Sequence, residues 1–300
     1  MKTIHGLGIA ALVGCSSVAS PTVDASAPDA PGPDSGEDGP APPARCAWDA
    51  PFTGTAAVAG LVVPGEMLYG ARLSADELTL FLSGYDGTSF DLFEAHRASA
   101  TGPFSTPRRM TELNSSAGDF DADLSRDGLR LWFGSNRSGA SQIYVAGRPS
   151  PGDGFGVPTL ADGVNDGFDA GQPFETVDGA ELWFASSRAP QLGGRDLWRA
   201  TWDGVRYTNP QHVDGLSSGG EDWWPMLSDD GLTLYFASNG GQGFDIYRAH
   251  RVARNAPFAA PVRVDALNTA GDDFASWLSP DDCRLYLTQG PALLVATRAP

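Results

Sequence analysis

The sequence predicts an all-β fold, a five-bladed β-propeller closed by its N-terminal strand pairing in the last blade. Three observations predict it. An apolar run recurs with its central leucine at Leu80, Leu131, Leu182, Leu234 and Leu285, at separations of 51, 51, 52 and 51 residues. Each run follows a polar turn, as in Ser125-Arg126-Asp127-Gly128 or Ser228-Asp229-Asp230-Gly231. A lone segment, Phe52 to Leu61, precedes the first complete unit and matches the last strand of the others.

The chain opens with Lys2 and a short apolar stretch from Gly6 to Gly14. That stretch is too short to span a bilayer as a stable helix. It ends Leu12-Val13-Gly14-Cys15, which resembles the bacterial lipobox. The resemblance implies a signal peptide over 1–14, cleavage before Cys15 and lipid on Cys15. An ordinary secretory signal is the plainer alternative. Residues 16–45 hold seven prolines, five acids and no aromatic residue. Such a segment cannot bury enough apolar area to offset its ordering entropy, so 15–45 is expected to be a disordered tether. Its reach is roughly 30 Å as a coil and about 90 Å if the prolines keep it extended.

Residues 46–300 are expected to form the propeller. Each apolar run is short, aromatic-rich and bounded by a hairpin turn, which reads as a strand. Asp-Gly suits that turn because glycine tolerates positive φ. A second strand follows in each unit, at Asp91–Ala95, Gln142–Ala146, Asp196–Ala200 and Asp245–Ala249, with a degenerate copy at Leu293–Ala296. A further strand runs from an aromatic residue to an apolar one nine positions on: Phe104/Leu113, Phe155/Val164, Tyr207/Leu216 and Phe258/Leu267. The fifth such pair is Phe52/Leu61, so the chain begins with the last strand of a unit and ends with the first strands of one. Joining them makes a ring, whereas an open array would leave edges needing caps.

The units resemble the WD40-like, TolB-type propeller repeat. The motifs are Ser125-Arg126-Asp127-Gly128, Ser135-Asn136-Arg137 and Gln142-Ile143-Tyr144 in one unit, and Ser228-Asp229-Asp230-Gly231, Ser238-Asn239-Gly240 and Asp245-Ile246-Tyr247 in another. The resemblance covers 46–300 and implies the fold with an envelope location, periplasmic or on the outer surface. TolB-type proteins have six blades and a second domain; with five units here, their role in the Tol system does not carry over. With Cys15 taken by lipid, Cys46 and Cys283 remain as a pair in an oxidising compartment. Both fall near the same blade edge, so a disulfide that pins the closure is expected, worth on the order of 5 kcal/mol by chain entropy. Two separate buried thiols are the alternative.

The net charge of −17 argues against a nucleic-acid partner, which needs a basic stripe, and against direct adsorption on anionic lipid. Lys2 is the only lysine, so no lysine chemistry survives signal cleavage. In an antiparallel meander the between-unit loops share one face. That face is expected to carry a ring of carboxylates at the channel mouth, with Asp119, Asp121, Asp169, Glu221, Asp222, Asp272 and Asp273 beside Trp223 and Trp224. Asp119, Asp121 and Asp123 alternate and are expected to point the same way. These residues would bind a cationic group, a metal ion or a sugar stacked on tryptophan; Ca²⁺ is the ion such oxygens suit, and no other cofactor is expected. The alternative is that the acids cap turns. Gly215-Leu216-Ser217-Ser218-Gly219 fits G-x-S-x-G but aligns with repeat loops rather than a strand-to-helix elbow. His96 and His250 match in position and read as strand-end residues. No catalytic residue is assigned. The expected function is binding or scaffolding by a lipid-anchored monomer, on an envelope protein or cell-wall glycan. A glycoside-active enzyme using Glu221 with Asp121 or Asp169, and a Ca²⁺-stabilised spacer, are the alternatives.

Overall fold

A computed structural model describes residues 45–240 and 243–300. The expected signal peptide, Cys15 and the tether up to residue 44 lie outside the described residues. Five four-stranded antiparallel sheets make up the fold. β1 (Gly54–Ala57) comes first, followed by blade 1: β2 (Met67–Leu73), β3 (Thr79–Tyr85), β4 (Phe90–His96) and β5 (Arg108–Arg109). Blade 2 is β6 (Asp119–Leu124), β7 (Arg130–Ser135), β8 (Gln142–Gly147) and β9 (Thr159–Leu160). Blade 3 is β10 (Ala170–Glu175), β11 (Glu181–Ser186), β12 (Asp196–Trp202) and β13 (Tyr207–His212). Blade 4 is β14 (Asp222–Leu227), β15 (Thr233–Ser238), β16 (Asp245–His250) and β17 (Val262–Arg263). Blade 5 is β18 (Asp273–Leu278), β19 (Arg284–Gln289) and β20 (Ala292–Thr297), and its outer strand is β1. The pairs Gly54↔Thr297, Thr55↔Ala296, Ala56↔Val295 and Ala57↔Leu294 shut the ring. The architecture is thus the all-β, five-bladed propeller that the repeat implies.

The five repeat leucines are fully buried. So are Phe81, Leu82, Phe133, Phe184 and Leu287, on both faces of the second strands. A strand apolar on both faces is stable only when covered on both, and neighbouring blades supply the cover.

The hairpin turns are built by one recurring device. Ser74, Ser125, Thr176 and Ser228 donate their hydroxyls to Asp76, Asp127, Asp178 and Asp230 at 2.6–2.7 Å, and Ser279 does the same to Asp281. Each aspartate accepts the N–H two residues on, as Asp127 does from Leu129 at 3.0 Å. These acids are turn-formers.

A second device ties each turn to the outer strand. Arg97, Arg148, Arg251 and Arg298 donate Nε–H to the carbonyls of Glu77, Gly128, Gly231 and Asp282. Their guanidinium groups lie 4.4–4.8 Å from the centroids of Phe104, Phe155, Phe258 and Phe52. In four blades the aromatic residue ahead of the outer strand is thus the floor for an arginine. Blade 3 substitutes Trp202 packed on Tyr207. Pro107, Pro158, Pro210 and Pro261 recur three residues after that aromatic. Proline has no N–H to donate, so it fits an outer strand and denies that edge to another chain.

At the seam, the Cys46 and Cys283 sulfurs are bonded, 237 residues apart in sequence. Arg45 pairs with Asp282 at 2.8 Å and Asp230 at 3.1 Å, so the described chain enters on the hairpin-turn face. Replacing Cys46 and Cys283 together by serine is expected to cost about 2–5 kcal/mol in denaturant unfolding. A midpoint equal to that of the wild type would show that the closure does not lean on this bond.

Candidate functional site

The inner strands β2, β6, β10, β14 and β18 surround the channel, and each carries a register shift against its neighbour. At the shift, Gly70, Asp121, Gln172 and Trp224 have φ of 63°, 56°, 52° and 52°. These residues stand 51, 51 and 52 apart, so one place in four blades takes the left-handed conformation. A bulge of this kind re-aims the side chains beside it.

What it aims into the channel is an aromatic wall. Tyr69, Phe120, Trp223 and Phe274 occupy the equivalent place just before the bulge, and all four line a cavity of about 530 Å³. Phe90, at the start of β4, and Phe244, just ahead of β16, extend the wall. Trp223 stacks on Phe244 at 4.4 Å, and Trp224 meets Phe274 edge-on at 4.3 Å. Phe120 lies against Gly134, where a Cβ would come within 2.4 Å of its ring.

Asp121, Gln172 and Trp224 line the same cavity and are buried. Gln172 donates to Asp121 at 2.9 Å. Its Oε1 has no partner, nor has the Trp224 indole N–H. That N–H is near enough to favour the Asp121 charge, yet no hydrogen bond closes. Burial pushes the Asp121 carboxyl up to about 6, against the pull of these donors and of Arg72 and Arg195. Below, Arg72 fills the channel. It is buried, 3.7 Å from Asp123, stacked 5.2 Å from the Phe174 centroid and bonded to the Pro225 carbonyl at 3.3 Å. Burial raises Asp123 to about 7 despite this cation.

A ring of free carboxylates is not what the mouth presents. Asp119, Asp222 and Asp273 are fully buried and close the loops ahead of their strands. They accept the N–H groups of Ser115, Ser218 and Thr269 at 2.5–2.7 Å, and Asp119 also takes Ser135 and Arg137. Asp119, Asp121 and Asp123 do not act together: the first closes a loop, the second lines the cavity, and the third faces Arg72. The bulge between Phe120 and Asp123 breaks the alternation that would have aligned them. Glu221 accepts the Trp223 indole N–H at 2.8 Å and the Arg195 backbone N–H at 2.9 Å, so it orients its neighbours. Asp169 stands half-exposed, 3.8 Å from Arg195. Asp272 lines the cavity and accepts the Phe244 N–H at 2.9 Å. Among the described residues no cluster of three or more His, Cys, Asp or Glu has metal-binding geometry. Ser217 of the G-x-S-x-G match accepts the Leu197 N–H at 3.1 Å, the place that Asn114, Asn165 and Asn268 fill elsewhere.

No protein-family model and no curated protein matches the sequence. Solved structures do. The catalytic domain of the Coprinopsis cinerea GH62 alpha-L-arabinofuranosidase is 9% identical, with a TM-score of 0.57 over 83% of this chain and 98% of that one. A thermostable family-43 glycoside hydrolase is 12% identical, with a TM-score of 0.51 over 80% and 96%. TolB from Acinetobacter baumannii is 13% identical, with a TM-score of 0.50 over 77% of this chain and 54% of that one, so the match spans about half of TolB. What is shared is the propeller. At these identities the likeness is one of fold.

The buried acids give the stability a pH dependence. Burial raises Asp121 and Asp282 to about 6 and Asp123 to about 7. An acid whose pKa is higher folded than unfolded adds stability below about pH 4, and this is lost as pH rises through the folded value. The melting temperature is therefore expected to fall between pH 5 and pH 8, and Asp123→Asn to flatten the slope. A wild-type melting temperature that climbs across this interval would contradict the assignment.

Proposed function

We propose that this propeller is a non-hydrolytic binding module of the cell envelope whose channel mouth takes one sugar residue of a cell-wall glycan. One observation carries the reading. The Gln172 Oε1 acceptor and the Trp224 indole N–H, neither in a closed hydrogen bond, lie buried with Asp121 beneath an aromatic wall. Buried polar atoms without partners are costly, and a ligand that completes them recovers that cost. Sugar hydroxyls can donate to the first and accept from the second, while the aromatic faces cover the C–H surface of a sugar ring. The propeller fold shared with glycoside hydrolases and TolB supports this choice as analogy only.

The cell-envelope placement rests on the lipobox-like Leu12-Val13-Gly14-Cys15 and on the proline-rich stretch after it. Arg45, the first described residue, pairs with Asp230 and Asp282 on the hairpin-turn face, while the cavity opens among the opposite loops. In cell fractionation the protein should sediment with membranes, and Cys15→Ser should release it. A wild-type chain found in the soluble fraction would remove the anchor.

Saccharide titration followed by tryptophan fluorescence tests the site. Gln172→Ala is expected to weaken binding about fivefold to tenfold, with no reducing ends released on long incubation. The raised Asp121 favours one second reading, a proton donor for glycoside cleavage. Sugar release abolished by Asp121→Asn would establish that reading instead.

A further inference from the structure

We infer that the mouth selects an acidic sugar, a uronic acid or another carboxylate-bearing saccharide, with Arg195 reading the carboxylate; this rests on the sugar-binding reading above. The aromatic wall has one gap. The place held by Tyr69, Phe120, Trp223 and Phe274 in four blades is Gly171 in blade 3. A Cβ on Gly171 would lie 3.5 Å from Arg195 Nη1, so a guanidinium stands where the fifth aromatic side chain would. Arg195 lines the cavity, and its side chain is only 18% exposed. Nearly every other arginine of the described propeller spends its donors on a carbonyl or a carboxylate. Arg137, for example, bonds Asp119 and the Leu113 carbonyl at 2.6 Å, and Arg108 holds Glu94 and Glu112. The Arg195 guanidinium makes no hydrogen bond within the described residues. Its nearest carboxylate, Asp169, is 3.8 Å away and half in solvent. Its ring partner is Trp223, 6.0 Å to the centroid.

A largely buried guanidinium with its fork of donors open toward a cavity fits a planar carboxylate, which it grips with two parallel bonds. The position also fits a sugar acid. The carboxylate sits at the Arg195 gap, the ring packs along Trp223 beside it, and a hydroxyl reaches Gln172 and Trp224 below. Asp121, at the base of the cavity, repels a carboxylate there and so fixes the orientation of the ligand with its acid at the rim.

The experiment compares glucuronic and galacturonic acids, as methyl glycosides, with their methyl esters and with the neutral hexosides. Affinity for the full chain is read by tryptophan fluorescence. The acid is expected to bind at least tenfold more tightly than its ester. Arg195→Gln is expected to erase that ratio, so that acid and ester bind alike. Arg195→Lys keeps the charge without the fork and should fall between the two; it also guards against a glutamine variant that misfolds. Equal binding of acid and ester by the wild type overturns the acidic-sugar inference but not the sugar site. So does an acid-to-ester ratio that survives in both variants. Failure of every saccharide to bind overturns the sugar site itself and this inference with it.

Discussion

Everything in this molecule depends on one short ladder, β1 against β20. Four residue pairs join a strand near residue 55 to one near 295. Without them blade 5 has no outer strand, and the apolar faces of the second strands in blades 1 and 5 lose part of their cover. Closing so long a loop is entropically costly, although the cost grows only slowly with length. The seam is accordingly cross-tied by several contacts. Arg298 lies over Phe52, its Nη1 reaches the Trp48 carbonyl at 2.7 Å, and Arg45 and Cys46 bind the turn at Asp282 and Cys283. These contacts repeat the arginine-on-phenylalanine device of blades 1, 2 and 4, with a covalent bond added at the seam.

The second constraint is the bulge in the inner strands. A non-glycine residue in the left-handed region costs on the order of 1 kcal/mol or more. Asp121, Gln172 and Trp224 all accept it, side by side around one cavity. The fourth such place is Gly70, where a Cβ would stand 3.3 Å from the Asp121 carboxylate, so the small residue leaves that acid its room. Glu77, Asn209 and Asp282 accept the same conformation away from the channel, so what sets the cavity apart is that three such residues face one open space.

The same bulge explains what the sequence could and could not disclose. Blade number, hairpin turns and ring closure are written in the spacing of Leu80, Leu131, Leu182, Leu234 and Leu285 and in the odd position of Phe52. They follow from a period that chain geometry cannot hide. The site is different, because which way a residue points depends on a register shift that leaves no mark in composition. Asp119 and Asp121 look alike in sequence; one is sealed in a loop by Ser115, Ser135 and Arg137, and the other lines the cavity. The pair Trp223-Trp224 was legible as part of the mouth. Tyr69, Phe120 and Phe274 were not singled out, although they stand at the same repeat position, 51 or 52 residues apart, as Trp223 does. Aligning the residues beside the acids, rather than the acids, was the available signal. Gly171 and Arg195 had no such signal, since one matters by lacking a side chain and the other arrives from a different loop.

The distribution of charge bears on what such a cavity accepts. Much of the acid in this chain of net charge −17 is spent inside the architecture: in the turns at Asp76, Asp127, Asp178, Asp230 and Asp281, and in the loops at Asp119, Asp222 and Asp273. The long-range field is nonetheless negative and opposes the approach of an anion. That field is screened beyond about 8–10 Å at physiological salt, whereas a contact with a largely buried group is screened much less. A negative protein can therefore hold a carboxylate, provided one unspent cation stands within the cavity wall. Arg195, facing the gap left by Gly171, is the group placed to do so, and the acids around it set the direction from which a ligand must enter.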